Sequence, residues 1–320
     1  MADLTATLPE SATTADRLAE ARRQTEASAR LRRWQLLSPA LIIIGIFGLF
    51  PLTITLIYSF LTPGTYGGVT WKFSTDAYVQ FLFDRDIFDD TLQFSGTYLS
   101  IYGRSIGLAF GATVGALIIG FPTAYFIASK PLEQRNLWLF LITLPFWVNL
   151  LVRTYAILLI IRDEGIINIG LMNMGAIDRP IGMLYTDYAV FAGLIYSYLP
   201  FMVLPLYASL EKLDFRLVEA AYDLYASRFQ VLRHVIIPMA KPGIVAGCIL
   251  VFIPGLGAYI TPELLGGGKE LMIGNLIALQ FSGSRNWPFG SAAALILMVV
   301  VMASLIIYVR YSGKEGNGHG

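Results

Sequence analysis

Long apolar runs alternate with polar segments along this chain, and within each run the apolar residues are continuous rather than every second one. Six runs stand out, at roughly 36–61, 101–128, 137–161, 188–210, 242–260 and 288–309. About 30 Å of hydrocarbon needs about 20 helical residues, so each run reads as a membrane-spanning helix. A closed barrel would alternate lipid-facing and lumen-facing residues, which these runs do not. The pattern predicts an all-α polytopic membrane protein with six transmembrane helices. It divides into a polar tail over 1–35, a membrane domain over 36–310 and a closing tail over 311–320.

One polar interval is too long and too patterned to be a simple connection. Residues 211–241 read "EKLDFRLVEAAYDLYASRFQVLRHVIIPMAK". Leu213, Leu217, Ala220, Ala221 and Leu224 recur at helical spacing, with Lys212, Arg216, Glu219 and Asp223 elsewhere on the wheel. Ser227 is placed to cap a second short helix running to Val235, which Pro238 and Pro242 are expected to stop. A helix–turn–helix projecting from the bilayer follows. A helix lying on lipid prefers a basic polar face and bulky apolar anchors. Here acids and alanines share the centre, which favours a docking surface for a partner over a lipid-surface helix or an ordinary loop.

Composition agrees with the membrane reading: 56% of the residues are hydrophobic, 14% are charged and mean hydropathy is +0.63. Net charge is only +1, but its distribution is uneven. With the N-terminal tail placed inside, the inner segments hold 15 of the 23 lysines and arginines and 11 of the 22 acids. Lys/Arg bias sets orientation, so both termini and the 211–241 loop are expected in the cytoplasm. The tail lacks the early apolar core and small-residue cleavage site of a secretory signal, so the first run reads as an uncleaved anchor behind a mobile or surface-helical tail.

Within the runs, Gly103, Gly107, Gly111 and Gly115 fall on one face of the second span, which favours close packing inside the subunit over a dimer face. Pro145 should kink the third span and expose a carbonyl, with Asn149 and Arg153 one turn apart beyond it. An arginine at that depth is costly unless paired or hydrated. Pro254, Gly255 and Gly257 should break or bend the fifth span, and irregular backbone in a membrane survives where protein or a cavity satisfies it. The first outer segment carries the acidic "DRDIFDD" and has room for one short amphipathic element.

Other chemistry is excluded. "GGGKE" (266–270) lacks the Ser/Thr and the strand–loop–helix context of a phosphate loop. His234, His319 and the single Cys248 give no metal site and no Cys–His pair. No basic stretch with interleaved aromatics suggests nucleic acid. An ion-coupled secondary transporter stays a distant alternative, since it would need coupling carboxylates in mid-membrane and the runs show none there.

The segment "EAAYDLYASRFQVLRHVIIP" resembles the signature loop of ABC-importer permeases. "LPFWVNLLVRTYA", "YLPFMVLPLYASLEKLD", "PGIVAGCILVFIPGLG", "MIGNLIALQF" and "NWPFGSAAA" resemble the first permease subunit of spermidine/putrescine importers, so the likeness runs from about 38 to 310. The resemblance implies the type I importer permease fold and makes the loop a coupling helix seated on an ATPase subunit. Glu219, Ala220 and Ala221 would form its docking head, with Asp223, Leu224 and Ser227 beside it. That family places glycine where this chain has Tyr225, and tyrosine carries a steric cost in a left-handed turn. The implied partners are two ATPase subunits holding ATP and Mg, a second homologous permease, an extracytoplasmic solute-binding protein and membrane lipid. This chain itself needs no cofactor and catalyses nothing. A polyamine path wants carboxylates and aromatic faces, for which Trp147, Asn149, Tyr155, Asp187, Tyr196, Tyr259 and Glu263 are the candidates. The subfamily also includes permeases for γ-aminobutyrate-like solutes, and the positive Arg153 keeps such a zwitterion open.

Overall fold

A computed structural model describes residues 35–85, 92–268 and 271–316. The N-terminal tail, most of the "DRDIFDD" cluster, Lys269, Glu270 and His319 lie outside the described residues. The first span, α1 (Gln35–Tyr58), is one apolar helix with a π turn at Gly45–Leu49. The remainder, from Tyr58 onward, forms a separate compact unit.

That unit opens with structure the apolar pattern did not show. The first connecting segment folds into two small antiparallel hairpins, β1 (Leu61–Pro63) with β2 (Val69–Phe73) and β3 (Phe83–Arg85) with β4 (Leu92–Phe94), around a short helix α2 (Asp76–Val79). Val69–Phe73 reads "VTWKF", rich in β-branched and aromatic residues, and glycines at 64, 67 and 68 supply the turn.

Three long helices form the core: α3 (Thr97–Ala128), α7 (Asp187–Leu210) and α9 (Arg228–Leu256). Small residues let them approach. A Cβ added at Gly111 would lie 3.0 Å from the Phe191 ring, and at Gly115 3.3 Å from it, so this half of the α3 glycine face packs inside the subunit. Gly103 and Gly107 meet nothing within 4 Å. On α9, a Cβ at Gly243 would lie 2.5 Å from the Pro205 carbonyl oxygen, and at Gly247 2.7 Å from the Met202 sulfur. In lipid, helices associate through such close packing rather than through a hydrophobic driving force. Ala116, Ala124, Ile127 and Ala128 of α3, Met202, Val203, Leu206 and Leu210 of α7, and Ala240 and Val251 of α9 are buried together.

The third span is not one helix. It splits into α4 (Leu132–Trp147) and α5 (Leu150–Ile161), the latter leading into α6 (Ile166–Asn173), with a 91° bend between the two arms. Pro145 starts the break, Val148 is extended, and the Asn149 side chain caps α5 by accepting from the Leu151 N–H at 2.8 Å. The fifth span also departs from expectation, since Pro238 and Pro242 do not stop the helix that Ser227 begins. A π turn at Leu232–Ile236, closed by the Ile237 N–H on the Leu232 carbonyl, widens the helix just ahead of Pro238. The ring is then tolerated, and the helix runs unbroken from Arg228 to Leu256. Pro254 stays helical too, and the helix ends two residues later, with Gly257 as its C-cap.

Two short helices, α10 (Ile260–Gly266) and α11 (Ile273–Ser282), follow the break at Gly257–Tyr259, and α12 (Trp287–Gly316) is the last span, running beyond the expected end at 309. Tyr102 on α3 donates to the Ala293 carbonyl of α12 at 2.6 Å. The Ile273 N–H that opens α11 donates to Ser105 of α3 at 2.9 Å.

Candidate functional site

The loop between α7 and α9 is built on the end of the bundle where α3 turns into α4. Asp214 caps α8 (Phe215–Asp223) by accepting from the Arg216 N–H at 3.0 Å. Glu211 accepts from the Tyr207 hydroxyl at 2.9 Å and faces Arg135 of α4 at 3.8 Å, while the rings of Phe215 and Tyr125 lie 6.3 Å apart. Leu213 and Val218 are buried, and Phe215, Ala221 and Ala226 pack against the same core.

The helix then stops by a left-handed C-cap. Tyr225 has φ +58°, its N–H donates to the Tyr222 carbonyl at 2.9 Å, and the Ala226 N–H donates to the Ala221 carbonyl at 3.1 Å. These are the two bonds of a Schellman turn, with Tyr225 where glycine is the usual occupant. Ser227 and Gln230 cap the next helix reciprocally: the Ser227 N–H donates to Gln230 Oε1 at 2.7 Å, and the Gln230 N–H to Ser227 Oγ at 3.4 Å.

This arrangement sorts the expected docking residues. Glu219, Ala220, Asp223, Leu224 and Ser227 all lie on the exposed side, with Leu224 82% and Tyr225 97% exposed. Ala221 is half-buried under them. The expected stripe is displaced by one residue: Val218 rather than Leu217 turns inward, which leaves Leu217 and Ala220 facing out. Beside them a concavity of about 350 Å³ is lined by Ala221, Leu224, Tyr225, Ala226, Gln230, Val231, His234 and Val235.

The polar candidates at the spans separate into three groups. At the α4–α5 break, Trp147 is exposed and Asn149 is spent as a cap. Arg153, 7% exposed, donates from Nη1 to the Pro145 carbonyl at 3.3 Å, and its Cζ sits 5.9 Å from the Tyr196 ring. The Pro145 carbonyl lies at the end of α4, where it also accepts from the Val148 N–H at 3.3 Å. Tyr155 is exposed on α5. Asp187, in the first turn of α7, is paired with Arg104 of α3, whose Nε donates to Oδ1 at 3.1 Å and whose Nη2 meets the same oxygen. Arg104 was not singled out by sequence, because its run reads as uniformly apolar and nothing marks its partner 83 positions on.

The third group surrounds the break after α9. Glu263 and Tyr259 are one turn apart on α10, joined by Glu263 N–H to Tyr259 carbonyl at 3.0 Å, and both side chains are exposed. Asn275 of α11 holds both: its Nδ2 donates to the Tyr259 carbonyl at 3.1 Å and to Glu263 Oε2 at 2.6 Å. Asn275 is 3% exposed. The motif "MIGNLIALQF" contains it, but only the fold brings it against Glu263.

Residues 116–314 match the family described as "Binding-protein-dependent transport system inner membrane component". The chain belongs to that family. The chain is 42% identical over 254 residues to the spermidine/putrescine transport system permease protein PotB of Escherichia coli (strain K12), covering 79% of this chain and 88% of the relative. It is 44% identical over 217 residues to PotB of Haemophilus influenzae, covering 68% and 76%. In fold it is similar, at TM-score 0.67 and 17% identity over 92% of this chain and 98% of the other, to a chain of the bacterial alginate ABC transporter solved with an alginate pentasaccharide-bound periplasmic protein. This family member is accordingly a multi-pass inner-membrane permease subunit of an ABC importer, with the helical architecture expected from the sequence.

Proposed function

We propose that this permease imports a polyamine, putrescine or spermidine, as one half of a transmembrane pair with a second homologous permease. The observation that carries the substrate is the 42% identity to PotB over most of both chains. Two ATPase subunits holding ATP and Mg supply the energy, and an extracytoplasmic solute-binding protein delivers the solute. The α7–α9 loop faces the cytoplasm and seats on an ATPase through Glu219, Ala220 and Leu224, whose exposure on a rigidly capped knob supports that role. ATP-driven closure moves the knob, and the spans switch between outward-open and inward-open states.

A second reading, a γ-aminobutyrate-like zwitterion, is favoured by the buried positive Arg153, for which a solute carboxylate is a natural counter-charge. One experiment separates the two. The complex is reconstituted with its binding protein, and the solutes that stimulate ATP hydrolysis and accumulate in the vesicles are measured. Putrescine or spermidine stimulates under the first reading. Stimulation by γ-aminobutyrate alone, or by no solute while the complex is intact, refutes it.

A further inference from the structure

We infer that Asn275 Oδ1 and the Glu263 carboxylate together form the seat for a primary ammonium group of the transported amine. This rests on the polyamine reading. The orientation of the Asn275 amide is fixed by its neighbours, since Nδ2 points at two acceptors, the Tyr259 carbonyl and Glu263 Oε2. Turned over, Oδ1 would face two oxygens. In the orientation that satisfies both bonds, Oδ1 is buried and has no hydrogen-bond partner. An orphaned buried acceptor is costly and rare in folded proteins, and it asks for a donor.

The surroundings specify which donor. Among the described residues Glu263 has no lysine or arginine partner, unlike Asp187, which is already neutralised by Arg104. The C-terminal end of α9 stops at Leu256, so the negative end of a long helix is directed at the break. A Cβ at Gly274 would lie 2.5 Å from the Ala258 carbonyl oxygen and 2.9 Å from that of Gly257, so α11 starts directly on the carbonyls of the unwound segment. Carboxylate, amide oxygen and unwound carbonyls are all acceptors. A primary ammonium carries three N–H donors and one positive charge, and the exposed Tyr259 ring adds a cation-binding face. Oδ1 is closed from solvent in this conformation, so the seat opens when α11 shifts from the α9–α10 break, as a state-dependent binding site requires.

The test uses the complete importer in lipid nanodiscs, without its binding protein, and equilibrium binding of radiolabelled putrescine to millimolar concentration at matched ionic strength. E263Q and N275L should each weaken binding at least about tenfold, the loss of one charge-assisted hydrogen bond. D187N, at a carboxylate already neutralised by Arg104, should remain within about twofold of wild type. If either E263Q or N275L binds like wild type, the seat is overturned. Wild type that binds no putrescine also overturns it. Import of putrescine by that same complex with its binding protein then shows whether the polyamine reading stands without the seat or falls with it.

Discussion

Tyr225 occupies the one position in the α7–α9 loop where backbone chemistry and side-chain chemistry can be separated. Its φ of +58° places a non-glycine residue in the left-handed region, at a cost of about 1–2 kcal/mol. Glycine at this position removes that cost but returns about 0.5–1 kcal/mol through the greater freedom of the unfolded loop. Tyr225→Gly should therefore stabilise the turn by about 0.5–1 kcal/mol. With RT near 0.59 kcal/mol, the Ala226 amide, which closes the turn on the Ala221 carbonyl, should exchange about two- to fivefold more slowly. Tyr225→Ala keeps the Cβ and hence the strain while removing the 97%-exposed ring, so its exchange should match wild type. Hydrogen–deuterium exchange on the detergent-solubilised complex reads both. If Tyr225→Gly exchanges as fast as wild type, or Tyr225→Ala slows as much as Tyr225→Gly, the left-handed turn is not what limits the loop.

Three further outcomes follow from named contacts. Gly243→Ala places a methyl group 2.5 Å from the Pro205 carbonyl oxygen and 2.6 Å from Ser209 Oγ, so thermal stability in detergent should fall by about 1–3 kcal/mol; an unchanged melting curve contradicts the α7–α9 contact. Glu219→Lys reverses a charge on the exposed knob, and it should leave insertion intact while abolishing solute-stimulated ATP hydrolysis and import in reconstituted vesicles. Wild-type coupling in that variant would refute the docking role. Asp187→Asn removes a carboxylate already paired with Arg104, so solute binding should change by no more than about twofold, against at least about tenfold for E263Q; equal losses would show that Asp187 also meets the solute.

Much of this molecule was legible in its apolar pattern, because in a membrane the hydrogen-bonding rule leaves helices as the only open choice for continuous runs. The Ser227 cap was legible as well, since it is a local arrangement of a few residues, whereas the left-handed turn at Tyr225 was suggested only by the family's glycine there. The pattern placed the breaks near Pro145 and Pro254 but hid the fate of Pro238. Pro145, Pro238 and Pro254 each remove one N–H, yet the first ends a helix, the second is absorbed by a π turn and the third sits two residues from a C-cap. At both breaks a side chain takes a carbonyl at the end of the helix. Arg153 takes the Pro145 carbonyl, and Tyr198 donates to the Pro254 carbonyl at 3.2 Å. Neither pairing has a local sequence signal. Asn275 and Arg104 were missed for the same reason, as ordinary polar residues in apolar surroundings until a partner arrives from another helix.

The misjudged fifth span also changes how the two ends of the molecule relate. Had Pro238 stopped the second loop helix, the knob at Ser227 and the break at Gly257 would belong to separate elements joined by a flexible corner. The helix is instead continuous from Arg228 to Leu256, about 40 Å at 1.5 Å per residue. Its first turn is fixed by the Ser227–Gln230 capping box beside the exposed docking residues. Its last turn faces the Gly257–Tyr259 break, where Asn275 holds Glu263. Between these ends, Gly243 and Gly247 keep α9 in backbone contact with α7, a bearing on which a rigid rod can tilt or turn without unpacking large side chains. Under the proposed docking role, a displacement of the loop would be carried along this helix to the Gly257–Tyr259 break and the α10–α11 contact beside it. With the proposed docking site and cation seat, this one helix would couple the two ends, and the π turn is the feature that lets a proline-bearing sequence remain one helix.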